Sequence, residues 1–325
     1  MNKFFLALLG CLGFVLAGCS TVPATPRAYA PGELPKVICL STNAPGYVRS
    51  VQTAPDTYVL QSGRRVFSPA TNSAPEIELL GAVHVAEPAY FKALQRRLDA
   101  AGLVLFEGVA DNSAAARAAA LKVKSRNPAY DSLADSLGLI EQVSQINYHQ
   151  TNFLHCDLSV QQMRARLEQE KSLGGPAGRA AAAALKEFSN LENMLGGHSL
   201  LVNFAFWVLN HSHYCKAVIR LDLVVDHAAS SPDKYISPRL HQLILADRND
   251  YVLHELDRIL GEKKPSGRVI IFFGCDHLAG LESGLRARGY QPAGPIEWED
   301  AVSDHPFAEG LDQSDIDEAL KPVNK

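Results

Sequence analysis

Residues 76–107 read EIELLGAVHVAEPAYFKALQRRLDAAGLVLFE and contain the clearest signals of the fold. The apolar stretch 76–83 predicts a strand, and the uninterrupted run Leu103–Phe106 predicts a second strand that is buried on both faces. Between them, apolar residues at helical spacing predict a helix that is opened by Pro88 and ended by Gly102. A strand, a helix and a strand in about 30 residues form a βαβ unit. The two strands are therefore expected to run parallel in one sheet.

A similar arrangement occurs near the other end of the chain. Residues 268–273 (RVIIFF) predict another buried strand, and a helix is predicted to follow it. The middle of the chain, 113–265, is predicted to be mostly helical, with one long helix over 238–260. The predicted fold class is α/β, in which both chain ends build a central parallel or mixed sheet and the helical middle region packs as a cap. Residues 58–67 predict a small hairpin that turns at Ser62–Gly63.

The same Gly-x-x-His motif follows both of these strands, at Gly81 to His84 and at Gly274 to His277. Each glycine lets the chain turn sharply, and each histidine is then expected at the start of the next helix. Ligands of open α/β sheets bind at the carboxyl ends of the strands. Glu107 comes directly after the strand that is predicted to run parallel to the first one. Its carboxylate is therefore expected at the same edge as His84, and His277 joins them if the last strand runs the same way.

Two neutral imidazoles and one carboxylate are a common ligand set for a divalent metal ion that keeps positions open for water and substrate. The sequence therefore predicts a metal site formed by His84, Glu107 and His277, in which the metal would support hydrolysis. Nitrogen and oxygen ligands suit Mn, Co, Zn and Fe(II) alike, so the sequence does not predict which of these ions binds. The alternative is that each histidine is an ordinary residue of a capped loop.

These residues also carry a resemblance to a known family. The stretches 81–109 (GAVHVAEPAYFKALQRRLDAAGLVLFEGV) and 269–290 (VIIFFGCDHLAGLESGLRARGY) resemble the two ends of the TraB/GumN/TIKI family, which is related to the EreA/ChaN-like fold. In that family, paired Gly-x-x-His motifs and a glutamate form the proposed site, so the resemblance also implies His84, Glu107 and His277. The family includes proposed metal-dependent peptidases and proteins linked to pheromone shutdown, and the more distant ChaN-like relatives are haem-binding lipoproteins.

Arg248 is the second predicted catalytic residue beside Glu107. It lies within the apolar stripe of the predicted helix over 238–260, and a buried arginine needs a partner. That partner is Glu107 or a substrate carboxylate if Arg248 is functional, and an acidic residue of the middle region if it is structural. Glu107 itself is expected to be a metal ligand or a general base. Residues 147–159 and Arg248-Asn249 also resemble stretches of bacterial family members.

The first 18 residues combine a basic start with an apolar run, which predicts a secretory signal. The run ends in Leu16-Ala17-Gly18-Cys19, which resembles the bacterial lipobox, so cleavage is expected to leave a lipidated Cys19 with palmitate as an acyl chain. Ser20 follows in place of a retaining aspartate, which implies the outer membrane facing the periplasm in a cell with two membranes. The expected organisation is a lipoprotein signal peptide at 1–18, a lipidated, proline-rich tether at 19–37, a TraB/GumN-like domain at 38–302 and a polar tail at 303–325.

Composition narrows the function classes. With 31 Lys and Arg against 35 Asp and Glu, the formal net charge is −4, which argues against nucleic-acid binding. Cys39, Cys156, Cys215 and Cys275 are expected in an oxidising compartment, and their pairing is left open. The leading prediction is a lipid-anchored, metal-dependent hydrolase that acts on peptides or proteins. The alternatives are a haem or iron carrier with Tyr148 or Tyr214 near its ligand, and a protein that sequesters a peptide signal without cleaving it.

Overall fold

The computed structural model describes residues 30, 32–40, 46–70, 74–108, 134–195, 209, 211–226, 236–262 and 265–321. The predicted signal peptide and Cys19 lie outside these residues. The described strands are β1 (Lys36–Leu40), β2 (Val48–Ala54), β3 (Thr57–Ser68), β4 (Ile77–Ala82), β5 (Val85–Ala86), β6 (Leu103–Phe106), β7 (Ile140–Glu141), β8 (Phe153–His155), β9 (Val269–Gly274), β10 (Gln291–Pro292) and β11 (Glu297–Asp304). The described helices are α1 (Pro88–Asp99), α2 (Gln142–Gln145), α3 (Val160–Ser172), α4 (Gly175–Leu195), α5 (His213–Asp226), α6 (Pro238–Ile244), α7 (Ala246–Glu262), α8 (Cys275–Ala287) and α9 (Gln313–Leu320).

The main sheet is mixed and contains strands from both ends of the chain. Its strands follow the order β1-β2-β3-β4-β9-β6-β8, and β10 and β11 also pair with β3. The pairs β4–β9, β9–β6 and β6–β8 are parallel, whereas β1–β2, β2–β3 and β3–β4 are antiparallel. Helices come mostly from the middle of the chain, so the predicted α/β class with a sheet built from both ends is confirmed.

The predicted βαβ unit forms, with one addition that its sequence does not reveal. Strands β4 and β6 flank α1 and point the same way, but β9 lies between them and pairs with both. Every residue of β4 is buried, and Val269–Phe273 of β9 are buried as well. Strands that are covered on both faces need such continuous apolar runs. The last long apolar strand of the chain therefore occupies the centre of the parallel part of the sheet.

The helical middle region has a hydrophobic core of its own. Helices α3, α4 and α6 pack around Leu167, Ala184 and Leu243, which are fully buried. The long helix predicted over 238–260 is interrupted at Leu245, whose φ of −108° and ψ of −66° separate α6 from α7. Backbone hydrogen bonds still run from Leu245 N–H to the carbonyl of His241 and from Asn249 N–H to that of Leu245. The predicted helix is therefore present as two consecutive segments.

The hairpin predicted over 58–67 is wrong. Strand β3 runs through Ser62-Gly63 without a turn and pairs with β2 and β11 along its first half. A Cβ atom at Gly63 would lie 2.8 Å from Ile296 Cγ2 and 3.2 Å from the carbonyl oxygen of Tyr47. Glycine at this position therefore serves the close approach of neighbouring chain segments, which a local sequence pattern cannot distinguish from a turn.

The segment 303–325, predicted as a polar tail, is corrected up to Lys321, where the described residues end. Strand β11 extends to Asp304, and α9 packs against α5 with Ile316 fully buried. The hydroxyl of Tyr214 donates to Asp315 Oδ1 at 2.6 Å. A few apolar residues anchor this segment, and they are hard to recognise in a sequence that is rich in acidic residues.

At the other end of the chain, β1 begins at Lys36, inside the range 19–37 that is predicted as the tether. Among the described residues, no helix is both long and apolar enough to cross a membrane.

Candidate active site

Strands β4, β6 and β9 end at one edge of the sheet, and His84, Glu107 and His277 lie just beyond them. A Cβ atom built on Gly274 would lie 3.2 Å from Glu107 Oε2, 3.9 Å from His84 Nε2 and 4.0 Å from His277 Cδ2. The three side chains therefore surround the same small space. Glycine at position 274 leaves that space open, because any larger residue would fill it.

Glu107 lies in the middle of this group with 15% of its side chain exposed. Gly274 N–H donates to its Oε2 at 2.5 Å, and Arg248 Nη2 donates to its Oε1 at 2.6 Å. Burial on its own would raise the pKa of Glu107, but the charge of Arg248 and the hydrogen bond from Gly274 N–H hold the pKa below its ordinary range. Glu107 is therefore a carboxylate at neutral pH.

Arg248 is almost fully buried on α7, with 5% of its side chain exposed. Its Nε donates to Asp157 Oδ1 at 2.8 Å and its Nη2 to Asp157 Oδ2 at 2.6 Å, in addition to the contact with Glu107. Its Nη1 donates to the carbonyl of Ile244 at 3.3 Å. The sequence leaves two kinds of acidic partner open for Arg248. In the structure Arg248 binds both of them, Glu107 and an acid of the middle region, Asp157. These contacts engage the guanidinium with the protein and make it a support for Glu107.

Asp157 connects Arg248 to the end of β6. Its side chain is completely buried, and it accepts hydrogen bonds from Gly108 N–H at 3.0 Å and from Leu158 N–H at 2.7 Å. Because Gly108 follows Glu107, Asp157 holds both the backbone beside Glu107 and the arginine that binds its carboxylate. The neighbouring His155 contacts the carbonyl oxygen of Gly108 through Nε2.

His277 is buried in the first turn of α8, with 3% exposed. Its Nδ1 lies 2.8 Å from Oδ1 of Asn249, and its Nε2 lies 3.6 Å from Glu107 Oε1. Asn249 Nδ2 also donates to the backbone carbonyl of His277 at 3.1 Å. Burial lowers the pKa of His277, and although Glu107 opposes the shift, the pKa stays below its ordinary value. The imidazole is therefore neutral at pH 7.

His84 forms the exposed side of the group. Its Nδ1 lies 3.2 Å from Gln142 Oε1, and its carbonyl accepts from Gln142 N–H at 2.9 Å. Gln142 Nε2 in turn contacts the hydroxyl of Tyr148 at 2.8 Å. The short pair β5–β7 brings these residues together, because it joins Val85 to Glu141. Solvent therefore reaches the group from the His84 side.

Sequence reasoning missed two residues that hold the histidines. Asn249 has a weak signal, since it follows Arg248 in a pair that resembles other bacterial sequences. Gln142 has none, because its contact with His84 depends on the pairing of two very short strands. Of the two tyrosines proposed for a haem site, Tyr148 lies beside Gln142, whereas Tyr214 binds Asp315 of α9.

The side chains around Gly274 have the charge and the donor atoms that a divalent cation needs. Glu107 and Asp157 carry two negative charges against the single positive charge of Arg248, and both histidines can supply neutral nitrogen. Each oxygen of Glu107 keeps a further lone pair beside its present hydrogen bond. In the described part of the chain, however, no three His, Cys, Asp or Glu side chains are arranged as a ready group for a metal ion.

The three described cysteine side chains form no disulfide. Cys156, Cys215 and Cys275 are buried free thiols, so the disulfides considered for them are not present in the structure. Burial raises the pKa of Cys275 far above its ordinary value, which opposes the thiolate form that a nucleophile needs. The side chain of Cys39 lies outside the description.

No family model matches the chain, and neither a curated protein nor a solved structure matches it. The resemblance to the TraB/GumN/TIKI family therefore stays a prediction that rests on the two Gly-x-x-His stretches.

Proposed function

We propose that the protein is a lipid-anchored, metal-dependent hydrolase that acts on peptides or proteins. The observation that carries this proposal is the convergence of His84, Glu107 and His277 on the space above Gly274. Two imidazoles and a carboxylate at the carboxyl edge of a parallel sheet are suited to a catalytic metal site. His84, Glu107 and His277 would hold the ion.

A divalent ion bound there would lower the pKa of a water molecule and polarise a substrate carbonyl. The residues of the chain have separate tasks. Arg248 and the N–H of Gly274 hold the two oxygens of Glu107 and keep the carboxylate ionised, so it is suited to bind a cation. The exposed position of His84 leaves the site open to a substrate that approaches from solvent.

The lipid anchor is part of the proposal because the lipobox-like ending at Leu16–Cys19 supports it. An outer-membrane location facing the periplasm is proposed on the same residues, since Ser20 replaces a retaining aspartate. Mass spectrometry of the mature amino terminus tests the anchor, and an unmodified Cys19 would contradict it.

The metal site is tested by calorimetric titration of Mn²⁺, Co²⁺ and Zn²⁺, and of Fe²⁺ without oxygen, into the full chain in detergent. We expect one ion to bind per chain and the double variant His84→Ala/His277→Ala to lose this binding. His254→Ala is the matched control, because His254 is an exposed histidine on α7. The metal that binds is then supplied in peptide hydrolysis assays, in which His84→Ala should abolish turnover.

Equal heats of metal binding in the unmutated protein, the double variant and His254→Ala would contradict a metal site at the paired Gly-x-x-His motifs. A Soret band that appears with hemin and is lost in the double variant would instead support the haem-carrier prediction. A labelled peptide that binds and is recovered intact would support sequestration without cleavage.

A further inference from the structure

Two consecutive residues of α7 reach two different parts of the site. Arg248 binds Glu107, and Asn249 makes two contacts with His277. The amide of Asn249 has only one orientation that satisfies both contacts. Its Nδ2 must face the backbone carbonyl of His277, because a carbonyl oxygen only accepts hydrogen bonds. Its Oδ1 therefore faces Nδ1 of the imidazole, at 2.8 Å.

This orientation determines where His277 carries its proton. An amide oxygen only accepts, so the imidazole must donate from Nδ1, and a neutral imidazole has a single N–H. Its Nε2 then presents a lone pair, and this is the nitrogen that lies 3.6 Å from Glu107 Oε1. Two acceptors face each other across the site, an arrangement that a cation between them would relieve. Metal-binding histidines are commonly oriented in this way by a hydrogen bond from their other nitrogen.

We propose that Asn249 is a positioning residue that holds His277 in its Nδ1–H tautomer, with the Nε2 lone pair directed at Glu107. The tautomer follows from the contacts of Asn249 alone. Its consequence for metal affinity rests on the proposed function.

A glycine on α8 provides the space that the amide of Asn249 occupies. A Cβ atom at Gly280 would lie 2.4 Å from Asn249 Nδ2, and one at Gly284 would lie 2.2 Å from Leu253 Cδ1. Gly280 and Gly284 are one turn apart on α8 and face residues one turn apart on α7. Alanine at either position disturbs the packing of the two helices, but only alanine at Gly280 displaces the amide. The pair therefore offers a matched test.

The tautomer can be read by nuclear magnetic resonance on the metal-free full chain labelled with ¹⁵N at histidine. Long-range proton–nitrogen couplings distinguish the protonated ring nitrogen from the bare one, and His277→Ala assigns the signal. We expect the unmutated protein to carry the proton on Nδ1. In Asn249→Leu, which has similar size and no polar group, we expect the proton to move to Nε2, where Glu107 can accept it.

Gly280→Ala should shift the tautomer in the same direction, whereas Gly284→Ala should leave it unchanged. In Asn249→Leu, the affinity for the bound metal should fall by about 10- to 100-fold, the usual effect of removing such an outer contact. A proton on Nε2 in the unmutated protein, or on Nδ1 in folded Asn249→Leu, would overturn the proposal. Lack of metal binding by the unmutated protein would contradict the proposed function, and the tautomer measurement would still decide the role of Asn249.

Discussion

The carboxylate of Asp157 accepts hydrogen bonds from the guanidinium of Arg248 and from two backbone N–H groups, and none of its surface is exposed. Burying such a pair costs desolvation energy, so its net contribution to stability is small when it is complete. Removing Asp157 is more costly, because the buried guanidinium of Arg248 then loses two hydrogen bonds and keeps only the contact with Glu107 to balance its charge. At the scale of single residues, the support of Glu107 therefore depends on a pair that tolerates little change.

Asp157→Asn keeps the shape of the side chain but removes its charge. We expect the free energy of unfolding to fall by about 3 kcal/mol, the lower end of the usual cost of breaking a buried ion pair, because Glu107 still balances part of the charge of Arg248. Urea unfolding followed by circular dichroism measures this loss. Arg258→Ala is the control, because Arg258 forms exposed pairs with Glu255 and Glu262 on the same helix as Arg248. Similar stability of the two variants would contradict the structural role of Asp157.

Among the helices and strands, close backbone contacts determine how neighbouring elements pack. The turn from α1 into β6 passes directly against the segment before β9. Gly102 N–H donates to the carbonyl of Arg268 at 2.9 Å, and a Cβ atom at Gly102 would lie only 1.8 Å from the carbonyl oxygen of Ser266. Because the obstacle is backbone, it cannot move aside as a flexible side chain would. The glycine that ends the predicted helix is therefore also needed for the packing of β6 beside β9.

Gly102→Ala should destabilise the protein by about 1 to 3 kcal/mol or more, as overpacking does in other proteins. Gly261→Ala provides the opposite case on α7, where nothing lies within 4 Å of the added atom. Alanine in a helix is more favourable than glycine, so this variant should gain up to about 1 kcal/mol. Thermal unfolding of both variants measures the difference. A Gly102→Ala protein as stable as the unmutated one would show that the contact is relieved without cost.

In the molecule as a whole, sheet pairing joins the two ends of the described chain, and Arg220 links the middle region to the last strand. Strand β11 returns to β3, and Arg220 of α5 lies 3.2 Å from Asp304 at the end of β11. Arg220 also donates to the backbone carbonyls of Leu137 at 2.6 Å and Ser303 at 2.8 Å. Asp304 has only 1% of its surface exposed. Burial raises its pKa to about 6, against the opposing charge of Arg220.

This raised pKa predicts a pH dependence of stability. The folded protein binds the proton of Asp304 more tightly than the unfolded chain, so the contribution is fully present below the ordinary pKa of about 4. It is lost as the pH rises through 6, and the difference between the two pKa values corresponds to a total of about 3 kcal/mol. Asp304→Asn should therefore gain stability relative to the unmutated protein between pH 4 and pH 7. Urea unfolding at both pH values checks this, and a constant difference would contradict it.

Much of the sheet could be predicted because the signals are local. The predicted strand over 103–106 matches β6 in its bounds, and the strand and helix that precede it differ from the prediction by one or two residues at their ends. The hairpin over 58–67 and the polar tail failed for a shared reason. A glycine or an acidic segment looks the same in a loop as in a packed element, and the difference lies in distant residues such as Ile296 and Tyr214.

Local patterns in the sequence were enough to predict that two apolar strands are followed by Gly-x-x-His and that Glu107 follows a third strand of the same sheet. Apolar runs, caps and turns are short-range features, and the parallel direction of the βαβ strands follows from them. The groups that hold the site residues could be identified in the folded structure but not in the sequence. Gln142 is 58 positions from His84, Asn249 is 28 from His277, and Asp157 is 91 from Arg248. Such contacts depend on how helices and strands pack, and no local pattern records that packing.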